Sequence, residues 1–176
     1  QASVEDACRS AVRLVKEGGA EAVKLEGGTH SAKAIRAISA MDIPVMGHIG
    51  LTPQSVHRMG GFKVQGRSEA EAEVLIEDAR AVEEAGAFCV VLEGIPASLA
   101  ARITSMLKIP TIGIGAGPRC DGQVLVVNDI LNLSVDGKSP RFVKKYADLK
   151  KAITGAAKAY MKDVEGGRFP TKKHSY

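Results

Sequence analysis

Tryptophan is missing from this sequence, and aromatic residues make up only 4% of its 176 positions. Nucleic-acid platforms stack bases on aromatic side chains, so this shortage speaks against one. Cysteine is nearly as scarce. Cys8, Cys89 and Cys120 are odd in number and far apart, and no C-x-x-C or Cys/His ligand spacing occurs. A disulfide framework and a zinc site are therefore unsupported, and reduced thiols in an intracellular compartment are expected. No apolar run reaches the ~18 residues that a membrane span needs, and no signal-peptide pattern opens the chain. The expectation is a cytoplasmic protein, with neither nucleic acid nor membrane as a partner.

Charge is not strongly of one sign. The net charge is +4, and much of the basic excess lies in the last forty residues, at Lys138, Arg141, Lys144, Lys145, Lys150, Lys151, Lys158 and Lys162. Such a face could attract nucleic acid or an anionic membrane. Without interleaved aromatics it reads as a solvated helix face.

Glycine is abundant, at 19 residues, beside 45% hydrophobic and 25% charged residues. That balance suits small-residue α/β packing. Ser3 can cap a helix with Glu5 and Asp6 in its first turn, apolar spacing at Val4, Ala7, Ala11, Leu14 and Val15, and Gly18-Gly19 as its stop. Short apolar strands are expected at Ala22–Leu25, Pro44–Gly47, Phe88–Leu92 and Thr111–Ile114, and one more at Val124–Val127. Helices are expected around Ala32–Ser39, over Glu69–Ala85, after Pro96, and over Tyr146–Val164, closed by Gly166-Gly167. A long polar loop joins Leu51 to Arg67, and loops of that length usually have a function or lack order. Continuous apolar strands alternating with helices predict a parallel sheet covered by helices.

An internal repeat sharpens this. Residues 17–27 (EGGAEAVKLEG) and 84–94 (EAGAFCVVLEG) agree at seven of eleven positions, 67 residues apart. Ile43-Pro44-x-x-Gly47 and Ile109-Pro110-x-x-Gly113 echo each other 66 residues apart. Two βα units per period give about 33 residues per unit, and eight would need on the order of 260, close to a (β/α)8 TIM barrel. The chain would hold about five units of such a barrel, as one domain over 1–176 with a helical tail from about 141 to 176. The rival is a doubly wound sheet. It fits less well, because Gly113-Ile114-Gly115-Ala116-Gly117 comes late and lacks the G-x-G-x-x-G spacing.

Barrel active sites sit at the C-terminal ends of the strands. Lys24, Glu26, His48 and Glu93 occupy those positions. Lys24 and Glu26 are two apart and share a face, with Leu25 toward the helices, and the repeat places Glu93 like Glu26. Each has a plainer reading. Lys24 and Glu26 could neutralise one another, and His48 could be a satisfied core histidine. Glu93 is harder to dismiss, because a carboxylate ending a buried strand must be paired or lie in a wetted cleft. Convergence of all four favours function. The Gly113–Gly117 strand end suits either phosphate binding through backbone N–H groups or close approach to a flat ligand. Arg119 and Asp121 read as turn chemistry.

Several strings occur together and in order: VKLEGG (23–28), GHIGLTPQS (47–55), GGFKVQGR (60–67), VLEGIP (91–96), IGIGAG (112–117), and Phe169-Pro170 before His174-Ser175. With these the chain resembles the ketopantoate hydroxymethyltransferase family, as its C-terminal two-thirds. The resemblance implies hydroxymethyl transfer from 5,10-methylenetetrahydrofolate to 3-methyl-2-oxobutanoate. It implies Glu93 as catalytic base, Lys24 in contact with the oxoacid, His48 lining the pocket, and Glu26 in a Mg²⁺ site. It also implies a homo-oligomer, a decamer in this family. The remaining aspartate ligands would precede Gln1, so a separate N-terminal chain is a conceivable partner, and this chain alone is expected to turn over little or nothing. Two other readings stay open: Lys24 as the Schiff-base lysine of a metal-free aldolase, and a non-catalytic subunit carried within an assembly.

Overall fold

A computed structural model describes residues 3–55, 61–134 and 139–176. Part of the expected 51–67 loop (residues 56–60), and Lys138 of the basic tail, lie outside the described residues. The chain divides into two compact units, 1–124 and 125–176.

The first unit is α/β. Helix α1 spans Val4–Lys16, capped by Ser3, whose hydroxyl accepts from the Asp6 N–H at 3.1 Å. Strand β1 (Val23–Glu26), helix α2 (Ala32–Ser39), strand β2 (Val45–Gly50) and helix α3 (Glu69–Glu84) follow. Strand β3 (Cys89–Glu93), helix α4 (Ala97–Met106) and strands β4 (Thr111–Ile114) and β5 (Gly122–Gln123) complete it. All neighbouring strands are parallel, and their order in the sheet is their order in the sequence. A doubly wound sheet reverses its strand order, and this one does not among the described residues.

The repeat is visible as backbone. Gly19 and Gly86 sit at matching places between helix and strand with φ of 67° and 95°, and Gly27 and Gly94 end the strands with φ of 115° and 57°. Only glycine adopts these conformations without strain, so the same turn chemistry recurs one period on.

One sheet face carries the core. Val23, Leu25, Val45, Ile49, Val90 and Leu92 pack against Ala7 and Ala11 of α1, Ile35 and Ile38 of α2, Ala79 and Val82 of α3, and Ala100 and Ile103 of α4. Each fully buried aliphatic contributes about 1.5–3 kcal/mol relative to exposure. The opposite parity (Lys24, Glu26, Met46, His48, Cys89, Val91 and Glu93) therefore faces away from the helices. This agrees with the orientation expected for Lys24, Glu26 and Glu93.

Strands β1 and β3 lie one residue later than expected, and two other strands differ more. Strand β2 runs on through His48 to Gly50, because its backbone stays paired with β3 up to Gly50↔Glu93. The last strand is Gly122–Gln123 rather than Val124–Val127. The Val124 N–H closes the ladder on Gly113 O at 3.0 Å, and Val124, Val126 and Val127 stay exposed, so no burial holds them extended.

The second unit holds a short helix, α5 (Val127–Ile130), and α6 (Leu149–Glu165). Asp148 caps α6 by accepting from the Lys151 N–H at 3.2 Å, and it takes the Asn132 amide at 2.8 Å. These hydrogen bonds hold its carboxyl below the usual aspartate range. Gly166 ends the helix, and the Phe169 ring packs edge-on against Tyr160 with centroids 5.6 Å apart. Among the described residues no helix is long and apolar enough to cross a membrane.

Candidate functional site

Parallel register brings the strand ends together. Glu26 pairs with His48, and Gly50, two residues beyond His48, pairs with Glu93. The four side chains singled out by sequence thereby form one cluster on the face away from the helices. Lys24 Nζ lies 3.0 Å from His48 Nδ1 and 3.6 Å from Glu26 Oε1. Glu93 Oε2 lies 3.1 Å from His48 Nε2. His48 is the centre of the group, its side chain only 4% exposed, while Glu26 and Glu93 keep 10% and 15% and Lys24 keeps 44%. A buried imidazole thus separates two partly wetted carboxylates, with an ammonium reaching in from the rim. Such a group can bind an anionic substrate and remove a proton from it.

Local hydrogen bonds fix Glu26. Its Oε2 accepts the Gln54 N–H at 3.1 Å, its carbonyl accepts from Ser31 Oγ at 2.8 Å, and Gly27 N–H donates to His48 O at 2.8 Å. Sequence reasoning missed Ser31 and Gln54 as supports, although Gln54 lies in the GHIGLTPQS string. It also missed Asp78, whose Oδ1 accepts the Thr29 N–H at 2.7 Å and so ties α3 to the turn after β1. Nothing in the surrounding pattern distinguishes Asp78 from the other acids of an acidic helix. Beside this turn opens a cavity of about 340 Å³, lined by Gly28, Thr29, Ile49, Thr52, Leu75 and Asp78 among others.

Asp121, Gly113 and Gly117 have structural contacts. Asp121 Oδ2 accepts from Thr111 N–H at 2.8 Å and from its hydroxyl at 3.0 Å, which holds the carboxyl below the usual aspartate range. This is the turn chemistry expected of it. At Gly113 a Cβ would press on Cys120 Sγ and the Gln123 amide, and at Gly117 it would collide with Ala97. At these two positions the absence of a side chain lets the chain pack closely on itself. Cys89 shares the face of the cluster, but burial pushes its thiol up, away from thiolate reactivity. All three cysteines are free. Among the described residues, no group of three or more His, Cys, Asp or Glu side chains is placed to hold a metal ion.

Comparison with known proteins gives consistent matches. The family model described as ketopantoate hydroxymethyltransferase matches residues 1–172. The 3-methyl-2-oxobutanoate hydroxymethyltransferase of Trichlorobacter lovleyi is 66% identical over 171 residues, covering 97% of this chain and 64% of that protein. Proteins of the same name from Pelobacter propionicus and Geobacter sulfurreducens are 62% and 63% identical over 176 residues, covering all of this chain and 65% and 66% of theirs. The chain thus spans just under two-thirds of the length of these curated relatives.

Proposed function

The chain belongs to the ketopantoate hydroxymethyltransferase family, and on that premise we propose that its strand-end cluster serves the transfer of a hydroxymethyl group to 3-methyl-2-oxobutanoate. The observation that carries this reading is the meeting of Lys24, Glu26, His48 and Glu93 within hydrogen-bonding reach on one sheet face. In this reading the sheet is a section of a (β/α)8 barrel. Sequential parallel order, helices on one face and a polar cluster at the C-terminal strand ends all support it.

Lys24 is the half-exposed cation that meets the carboxylate of the oxoacid. Glu93 takes the proton from C3, and the C–H electron pair becomes the C2–C3 double bond of an enolate. Water cleaves the two C–N bonds of the methylene bridge in 5,10-methylenetetrahydrofolate, its hydrogens going to the two nitrogens and its oxygen to a formaldehyde unit. C3 adds to that carbon while the Glu93 proton goes to the oxygen. The products are ketopantoate and tetrahydrofolate. Homo-oligomeric assembly belongs to the same proposal and rests on the family.

The family resemblance assigns Glu26 to a Mg²⁺ site. Glu26 offers one carboxylate, with Oε2 engaged by the Gln54 N–H and Oε1 close to the Lys24 ammonium. Mg²⁺ demands octahedral oxygen coordination. The described residues do not by themselves make that centre, and no step above runs through it.

The test is transfer by the intact protein carrying residues 1–176, assayed by ketopantoate formation with and without Glu93→Gln. Loss of a general base should lower the rate by about 10²–10⁴-fold. A Glu93→Gln protein that transfers at the wild-type rate would sink the reading, and so would borohydride trapping of the oxoacid on Lys24, which would favour the Schiff-base alternative.

A further inference from the structure

We propose that His48 is a catalytic hydrogen-bond donor, held by Lys24 as the Nε2–H tautomer and donating to the substrate oxygen that gains charge as Glu93 removes the neighbouring proton. This rests on the enolisation reading above and adds to it a residue with a defined proton.

The tautomer follows from the donor inventory. A lysine ammonium has only hydrogens to offer, and Lys24 Nζ lies 3.0 Å from His48 Nδ1. Nδ1 must therefore be the lone-pair nitrogen, which leaves the ring proton on Nε2. The Glu26 oxygen on that side is 3.7 Å away, too far to reverse the assignment.

Nε2 is buried and makes no hydrogen bond to any described residue. Glu93 Oε2 is 3.1 Å from it, but the N–H direction misses that oxygen. Buried donors are nearly always paired, so an exception beside a proposed base points to a ligand acceptor. The spacing suits one. The carbon that loses its proton and the oxygen that gains charge are two bonds apart, and the base oxygen and the Nε2 donor stand side by side at a similar separation. Glu93 can address the carbon while His48 addresses the oxygen.

The step balances without a further reactant. The C3 proton goes to Glu93, its electron pair forms the C2–C3 double bond, and the carbonyl pair moves onto oxygen. His48 keeps its proton throughout. A donor fixed before reaction favours the charged oxygen over the neutral ketone, and only that difference accelerates the step.

Two measurements on the intact protein test this. The first is ¹⁵N-histidine NMR of the free protein and of the protein with 3-methyl-2-oxobutanoate. We expect the Nε2–H tautomer for His48, a downfield shift of that proton on adding the oxoacid, and loss of the single tautomer in Lys24→Met. An Nδ1–H tautomer in the wild type overturns the inference. The second is exchange of the C3 hydrogen in D₂O without folate, followed by proton NMR. His48→Leu should slow exchange by about 10²–10³-fold, the effect of removing one oxyanion donor. His48→Gln, whose amide can place a donor, should keep at least a tenth of the wild-type rate, with circular dichroism confirming the fold of both variants. Wild-type exchange in His48→Leu, or equal loss in both variants, overturns the inference and leaves the enolisation reading standing. Absence of exchange in the wild type overturns the enolisation reading itself and removes the catalytic role of His48 with it.

Discussion

Asp78 Oδ1 accepts the Thr29 N–H at 2.7 Å, joining the middle of α3 to the turn that follows Glu26. The contact requires Gly28 to be glycine, because a Cβ there would overlap the Asp78 carboxyl.

Gly28→Ala and Asp78→Ala should therefore be coupled. Gly28→Ala alone forces Asp78 aside, a crowding cost of about 1–3 kcal/mol. Asp78→Ala alone leaves the exposed Thr29 N–H to water in place of its carboxylate acceptor, at about 0.5–1.5 kcal/mol. The double variant removes the clash along with the carboxylate, and its loss should fall below the sum by 0.5 kcal/mol or more on the scale of contacting pairs, ~0.5–3. Urea denaturation of the four proteins measures this, and strict additivity would refute the coupling.

Asp121 and Thr111 make a second pair with a pH signature. Thr111 is fully buried, and its hydroxyl also meets Thr104 Oγ1 at 2.8 Å. Thr111→Val keeps the shape and loses the hydroxyl, at a cost of about 0.5–1.5 kcal/mol. The Asp121 carboxyl is held low, so it is more acidic folded than unfolded. Its contribution is therefore complete above the ordinary aspartate value of about 3.9 and is lost as pH falls through the lowered folded value. The stability difference between wild type and Asp121→Asn should be constant near pH 6 and shrink below pH ~4. A difference that grew on acidification would contradict this assignment.

Period and parity were readable in the sequence, and register was not. Spacing alone puts Lys24 and Glu26 on one face, and the repeat carries Glu26 over to Glu93. The 3.0 Å approach of Lys24 to His48 depends instead on Glu26 pairing with His48 across two strands, a relation between segments 22 residues apart. The supports are equally non-local: Asp78 is one acid among several on α3, and its partner is 49 residues away. Val124–Val127 misled because an apolar run is a strand signal only when something buries it, and these valines stay exposed.

The start of α3 shows the reverse, a feature wholly local and fully legible. Ser68 Oγ accepts the Glu71 N–H at 3.3 Å, and Glu71 Oε2 accepts the Arg67 and Ser68 N–H groups at 2.8 and 3.2 Å. Ser68→Ala should cost about 1 kcal/mol, as for other N-caps. The Glu71 carboxyl is lowered by those backbone donors, first that of Ser68 and then that of Arg67. Its stabilisation is thus present above the ordinary glutamate value of about 4.3 and fades as pH falls through the folded value. Glu71→Gln should reduce thermal stability at pH 7 and bring little change at pH 3. A deficit equally large at both pH values would place the effect elsewhere.

The last prediction concerns how Glu26 is held. Its Oε2 takes the Gln54 N–H at 3.1 Å, so the carboxylate that stands beside Lys24 also anchors the start of the segment after β2. A charge-assisted bond of this kind contributes about 1.5–3 kcal/mol when its partner is shielded, and less at a half-wetted position. Glu26→Ala should free the Gln54 amide, speeding its hydrogen exchange by roughly tenfold, the equivalent of about 1.4 kcal/mol in local opening. Amides of β2 that pair with β3, Ile49 among them, should keep their protection, because sheet pairing and not Glu26 holds them. The contrast between the two sets separates local release from general destabilisation. If both sets speeded up together, Glu26 would be a support of the whole sheet; if neither did, its bond to Gln54 would have no part in ordering that segment.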